Sequence, residues 1–203
     1  MFIKRIAFYL FHPITSARRI GAKFKNFYYL RFRAVLSPEV DLKITPRVTV
    51  LQPTYFAGRG VVRIEQGVIF GVPLGGYYRK HVTELLVRNG GEISIGARTH
   101  FNNNLLISSW KSITIGDDCL IGHNCEFSDA DGHEIDPLER RKYPGQVGEV
   151  VLGNNVWLGN NCKILKGTKI GDNSIVAAGA VVKGAFEANV IIGGVPAKVI
   201  KRI

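Results

Sequence analysis

Along 152–182 an aliphatic residue recurs at every sixth position: Leu152, Leu158, Ile164, Ile170, Val176 and Val182. Four residues after each of the first five stands a small side chain: Val156, Cys162, Thr168, Ser174 and Ala180. A period of six fits neither the 3.6-residue repeat of a helix nor the alternation of a half-buried strand. It predicts a solenoid of short strands and tight turns in which the aliphatic side chains stack inward in register. Gly and Asn fill the intervening positions, where such turns need a permissive backbone. The same register starts at Ile95-Gly96 and runs through Phe101 and Ile107. It slips by two residues around Trp110–Ser112 and resumes at Ile115, Ile121 and Phe127. From Pro38 to about Gly91 the pattern is β-like but irregular, which predicts early, imperfect coils. Within that region Gly75-Gly76-Tyr77-Tyr78-Arg79 predicts a loop or turn.

The period breaks over Ser128–Val150, a charged stretch holding Pro137 and Pro144. An excursion of this length between regular repeats is a candidate for function. After Val182 the sequence KGAFEANVIIGGVPAKVIKRI predicts departure from the solenoid into a basic tail. The expected organisation is therefore a basic segment 1–37, a solenoid 38–183 carrying the loop 128–150, and a tail 184–203.

Charge sharpens the picture at one end only. The formal net charge is +11, and residues 1–36 hold eight Lys and Arg and no acid, so most of the excess lies there. Aromatic and aliphatic residues interleave with those cations around Pro13, which predicts a short basic amphipathic helical segment. It reads either as a cap packed across the end of the solenoid or as an element lying on an anionic membrane surface. Ile6–Phe11 is too short to span a bilayer. No nucleic-acid-reading motif accompanies the charge. Cys119, Cys125 and Cys162 form no zinc spacing, and each falls at a small inward position, so they read as buried apolar residues. That usage fits a reducing cytoplasm, with peripheral contact to the inner face of the membrane through residues 1–36.

Candidate chemistry gathers around the excursion. His133 sits inside it in Asp131-Gly132-His133; Asn102 lies in Phe101-Asn-Asn-Asn-Leu105; Trp157-Leu158-Gly159-Asn160 follows its return. Imidazole titrates near neutral pH and suits the work of a general base. Asp129 and Asp131 are both candidates to hold its tautomer. Asn103 and Asn104 rival Asn102. His123, in a Gly-His-Asn turn, reads as structural, and His12, His81 and His100 receive no role.

This hexapeptide pattern, with its loop His, Asn and Trp-x-Gly turn, resembles the hexapeptide-repeat acyltransferases, above all the galactoside and maltose O-acetyltransferases and those of polysaccharide biosynthesis. The likeness implies an all-β fold, a left-handed parallel β-helix of triangular section, and a homotrimer with sites between subunits. It implies transfer from acetyl-CoA, as co-substrate and without a metal, to a sugar hydroxyl. His133 would be the general base, Asn102 would position the acceptor, and the backbone amide of Asn160 would face the thioester carbonyl. Coenzyme A would lie against Trp157, Gly159, Asn160, Ala178 and Lys183, with Lys198, Lys201 and Arg202 near its phosphates. The C-terminal Gly194-Val-Pro-Ala-Lys also resembles the family's ending. Members often read Val-Thr-Lys-Asp after the last hexapeptide, whereas this chain has Val182-Lys183-Gly184. The basic segment 1–36 favours a lipid-linked or nucleotide-sugar acceptor of surface polysaccharide. The alternatives are an antibiotic-inactivating acetyltransferase, or a catalytically silent scaffold that binds a membrane or partner.

Overall fold

The computed structural model describes residues 39–203, and among them every regular element is a strand. The expected basic helical segment 1–37 lies outside the described residues. The strands form a parallel β-helix with three faces. Face one carries the first halves of β3 (Thr54–Ile64) and β5 (Thr83–Ile95), then β7 (Leu106–Ser109), β10 (Glu126–Ser128), β13 (Lys163–Ile164) and β16 (Val181–Val182). Face two carries β1 (Val40–Ile44) and the second halves of β3 and β5, then β8 (Ser112–Ile115), β11 (Val150–Leu152), β14 (Lys169–Ile170) and β17 (Ala185–Phe186). Face three carries β2 (Thr49–Val50), β4 (Ile69–Phe70), β6 (His100–Phe101), β9 (Leu120–Ile121), β12 (Trp157–Leu158), β15 (Ile175–Val176) and β18 (Val190–Gly194). β3 and β5 bend from face one to face two without a break, so these two faces form one continuous sheet.

The period of six is the cause of this shape. On each face the aliphatic residue points inward and stacks on its equivalent one coil away, as in Phe70–Phe101–Ile121–Leu158–Val176–Ile192 on face three. The Phe70 and Phe101 rings lie 4.9 Å apart and nearly parallel. All six aliphatic positions from Leu152 to Val182 are buried, as are the five small positions between them. Each large apolar side chain so buried contributes about 1.5–3 kcal/mol.

The corners explain the Asn content. Asn104, Asn124 and Asn161 adopt left-handed φ near +60° at the corner between faces three and one, here corner one. Their side chains form a ladder along the prism, Asn104 Nδ2 to Asn124 Oδ1 and Asn124 Nδ2 to Asn161 Oδ1, each 2.8 Å. Asn tolerates this conformation better than most residues because its short amide bonds locally. A second ladder, Asn155–Asn173–Asn189, runs along the corner between faces two and three.

The two-residue slip occurs at corner two, between faces one and two. Its cause is Asp129, a fully buried carboxylate that accepts from Ser109 Oγ and from the backbone N–H groups of Trp110, Lys111 and Ser112 at 2.7–2.8 Å. The enlarged turn thus has all its donors satisfied by a residue from the next coil.

The coil continues past the expected boundary at 183. β17 pairs in parallel with β14, and β18 with β15, so the solenoid runs to Gly194. The period of six fails there because the last coil loses two residues once, between Val182 and Phe186, yet the inward stacking persists. The chain turns back only at Val195-Pro196, and β19 (Ala197–Arg202) then pairs antiparallel with β18.

Candidate functional site

The excursion leaves corner two after Ser128 and returns at Val150. Its ends are zipped together: Asp131 N–H donates to Gln146 O at 3.1 Å and Gly148 N–H to Asp129 O at 2.8 Å. Lys166, buried in the corner below, donates to Asp131 Oδ2 at 2.6 Å and Gln146 Oε1 at 2.8 Å, so one ammonium clamps both sides of the loop. Gly145, at φ +71°, packs so close that a Cβ there would lie 2.1 Å from the His133 carbonyl oxygen. The loop closes only with glycine at this point.

His133 is held by neither candidate acid. Asp129 is committed to the corner and Asp131 to Lys166. Instead His133 Nδ1 lies 2.8 Å from the carbonyl oxygen of Arg140. A carbonyl can only accept, so Nδ1 carries the proton and Nε2 holds the lone pair. The ring packs against Tyr143 at 4.6 Å, Tyr143 lies parallel to Trp110 at 6.5 Å, and the Arg88 guanidinium sits 5.8 Å over the Trp110 ring. Arg88, Ser108, Trp110, Ser128, Asp131 and Tyr143 line a cleft of about 360 Å³ beside this row.

Most of the other expected residues stack along corner one. Asn102, Gly122, Gly159 and Ala177 occupy equivalent positions in successive coils, as do Asn103, His123, Asn160 and Ala178 one residue further on. Asn102 Oδ1 accepts from Asn103 N–H at 2.9 Å, which leaves its amide protons without a partner among the described residues. Asn103 and Asn104 are committed elsewhere, the first to the 72–76 backbone and the second to the Asn ladder.

At Asn160 the corner N–H lacks a side-chain cap, as it also does at Asp172 beside Ala188. At matching corner positions the side chain one coil ahead caps the exposed N–H: Asn160 Oδ1 accepts from His123 N–H at 3.1 Å, and Asp172 Oδ1 accepts from Asn154 N–H at 2.7 Å. The residue that would cap Asn160 is Ala178, which has no acceptor. The Asn160 N–H therefore has no partner among the described residues, beside a side chain small enough to leave space.

Within one chain these groups do not all meet. His133 projects from corner two, and its ring contacts lie within the loop and that corner, whereas Asn102, Gly159, Asn160 and Ala178 lie on corner one across face one. Trp157 is half-exposed on the outer side of face three. Lys183 sits at corner two below Lys166; Lys198 and Lys201 are exposed on β19, and Arg202 there pairs with Glu187 at 2.7 Å. Sequence reasoning missed Arg88, Tyr143 and the part played by Trp110, since their proximity arises from the loop folding back on the bend of β5. The only signal was the two-residue slip at Trp110. Among the described residues no three His, Cys, Asp or Glu side chains are grouped to hold a metal ion. Nor is any described helix long and apolar enough to cross a membrane.

Comparison with known proteins bears on the repeats directly. The family "Bacterial transferase hexapeptide (six repeats)" matches residues 149–184, and "Hexapeptide repeat of succinyl-transferase" matches residues 112–128. The galactoside O-acetyltransferase of Escherichia coli K12 is 38% identical over 114 residues, 56% of each chain. A putative lipopolysaccharide biosynthesis O-acetyl transferase of the same strain, WbbJ, is 36% identical over 120 residues, 55% of this chain and 61% of that one. The chain thus spans less than two thirds of the length of these curated relatives. Among solved structures, the Vibrio cholerae hexapeptide-repeat acetyltransferase VCA0836 complexed with acetyl coenzyme A aligns with a TM-score of 0.52 at 30% identity. It covers 66% of this chain and 64% of that one.

Proposed function

The chain belongs to the hexapeptide-repeat acetyltransferase family, and on that premise we propose that it transfers an acetyl group from acetyl-CoA to a hydroxyl of a sugar. The observation that carries the reading is the uncapped N–H of Asn160 beside Ala178. His133 Nε2, with its lone pair free, takes the proton of the acceptor hydroxyl as that oxygen adds to the thioester carbonyl. The Asn160 N–H bonds the oxygen on which negative charge develops. The imidazolium then gives its proton to the departing sulfur as the C–S bond breaks, leaving an acetyl ester on the sugar and free coenzyme A. Asn102, with its amide protons unused, positions the acceptor. Coenzyme A lies along the small residues of corner one, Gly159 and Ala178, with Trp157, Lys183, Lys198 and Arg202 around it.

His133 and Asn160 stand on different corners of one prism, so the site is completed between copies, which argues for a homotrimer. Leu120 and Trp157, neighbours in register on face three, are 52% and 53% exposed and supply an apolar strip for that contact. The acceptor is a sugar of a surface polysaccharide. The similarity to WbbJ, a putative lipopolysaccharide O-acetyl transferase, supports that part. The basic segment 1–36 suits an acceptor made at a membrane surface, and its deletion should weaken binding to anionic vesicles.

The test is thiol release from acetyl-CoA against sugars, activated sugars and antibiotics, with His133→Ala beside the wild type. Sugar-dependent release falling roughly 10²–10⁴-fold in the variant is expected. Release unaffected by the substitution removes His133 as the base. Release with antibiotics alone replaces the sugar acceptor, and failure to bind coenzyme A leaves a scaffold.

A further inference from the structure

Between β4 and β5 the chain makes a detour at corner one, residues 71–82, one coil before Asn102. Two buried amides pin it. Asn103 Oδ1 accepts from Val72 N–H at 3.0 Å, and Asn103 Nδ2 donates to Val72 O at 3.0 Å and Gly76 O at 2.9 Å. Gln52 Nε2 donates to Tyr77 O at 2.8 Å, while its Oε1 accepts from Thr83 Oγ1 and Asn104 N–H. Both side chains are fully buried. The detour also holds two bulky residues in the left-handed region, Leu74 and Tyr77, each at φ +62°. Such strain costs about 1–3 kcal/mol per residue and persists where the surroundings over-determine it.

The loop displays cations. Its sequence VPLGGYYRKHV contains no acid, and among the described residues neither Arg79 nor Lys80 has a salt-bridge partner. With Leu74, Tyr77 and His81 they line a cleft of about 400 Å³. The Tyr77 ring meets His81 edge-on at 4.9 Å and His123 at 5.1 Å, and His123 N–H donates to Asn160 Oδ1. The cationic loop therefore adjoins the column that carries the uncapped N–H.

We propose that this loop is a diphosphate-binding wall of the acceptor site: Arg79 and Lys80 hold the diphosphate of an activated sugar, nucleotide-linked or lipid-linked. Rigid placement of the cations by Gln52 and Asn103 lowers the entropy lost on binding, and paired cations suit a diphosphate. The inference rests on the acetyltransferase reading for its sugar, but its anion site can be tested alone.

The full chain is titrated calorimetrically with inorganic pyrophosphate in saturating coenzyme A, which occupies the other phosphate-binding region. Wild type should bind, and Arg79→Ala/Lys80→Ala, with an unchanged melting temperature, should bind about tenfold or more weakly. Equal binding by both proteins, or none by wild type, overturns the proposal. In parallel, KM is measured for one sugar in its free, nucleoside diphosphate and polyprenyl diphosphate forms. The variant should raise KM for a diphosphate form about tenfold and leave KM for acetyl-CoA and the free sugar unchanged. The form that responds identifies the source, and a KM unchanged for both overturns the acceptor role. Loss of pyrophosphate binding without acetyl transfer to any acceptor would uphold the anion site and refute the catalytic reading.

Discussion

Asp129→Ala should destabilise the corner on which the excursion is built far more than an ordinary surface change. The substitution strands three part-buried backbone donors, those of Trp110, Lys111 and Ser112, whereas the Ser109 hydroxyl can turn its one proton to Glu92 O at 2.9 Å. Hydrogen bonds to a charged group contribute roughly 1.5–3 kcal/mol each, but water reaches the half-exposed Trp110 and Lys111 in the variant, so the expected loss is about 3–5 kcal/mol. For a chain of this size that lowers Tm by roughly 10 °C. Asp129→Asn should lose about 2–4 kcal/mol, since an amide oxygen can take the Oδ2 position, shared by Ser109, Lys111 and Ser112, but makes weaker neutral bonds there, and the amide NH2 meets the Trp110 N–H donor to donor. Urea unfolding followed by circular dichroism and Trp fluorescence measures both. A loss within 1 kcal/mol of wild type for the Ala variant would refute the argument. So would a displaced acidic limb in the pH–rate profile of Asp129→Asn, because Asp129 does not touch the imidazole.

Other expectations are briefer. Asn124→Ala removes two rungs of the corner ladder at φ +57° and should cost about 1–2 kcal/mol, with Asn124→Gly recovering part of it; equal losses would deny the conformational share. Cys119, Cys125 and Cys162 should resist thiol reagents at pH 8 and react together on unfolding; a single fast thiol would contradict their burial. Burial pushes the Cys119 thiol up, and a hydrogen bond with Cys162, then burial, does so at Cys125. The Ser94 hydroxyl and then Arg63 hold Glu92 below the ordinary carboxylate range, and Arg98 does the same for Asp118. Depressed folded-state values give stability present above the ordinary range and lost as pH falls through the lowered values. Acid titration should therefore show a plateau that ends below about pH 4.5, with a shallower fall in Glu92→Gln; an unchanged slope would refute the Glu92 contribution.

The solenoid was legible because its cause is local and repeated. Leu152 through Val182 carry the period in their own identities, and the cysteines at 119, 125 and 162 revealed their burial by sharing it. The slip at Trp110 was visible, but its cause was not: Asp129 lies on the next coil, and a side chain capping a distant turn leaves no periodic trace. The same holds for Gln52 and Asn103, whose work is done on a loop twenty or more residues away. His133 stood out as the histidine within an aperiodic stretch, yet its partner proved to be a backbone carbonyl, which any residue could supply. The end of the solenoid was misjudged because the last coil loses two residues between Val182 and Phe186, and a strict period of six does not register a coil that keeps inward stacking at a smaller size. That His133 and Asn160 occupy different corners follows from register, which counting sixes could have yielded.

The reversal at Val195-Pro196 has a further consequence. A parallel β-helix ends on open strand edges, and each edge is a template on which another chain could add in the same direction. β19 runs the opposite way along β18 and occupies its edge over Val190–Gly194. The other two edges at this end, β16 and β17, are only two residues long. An incoming prism would find one of the three edges already taken by a strand of opposite direction, so parallel continuation across the whole end is blocked on that face while the flat sides stay open to association.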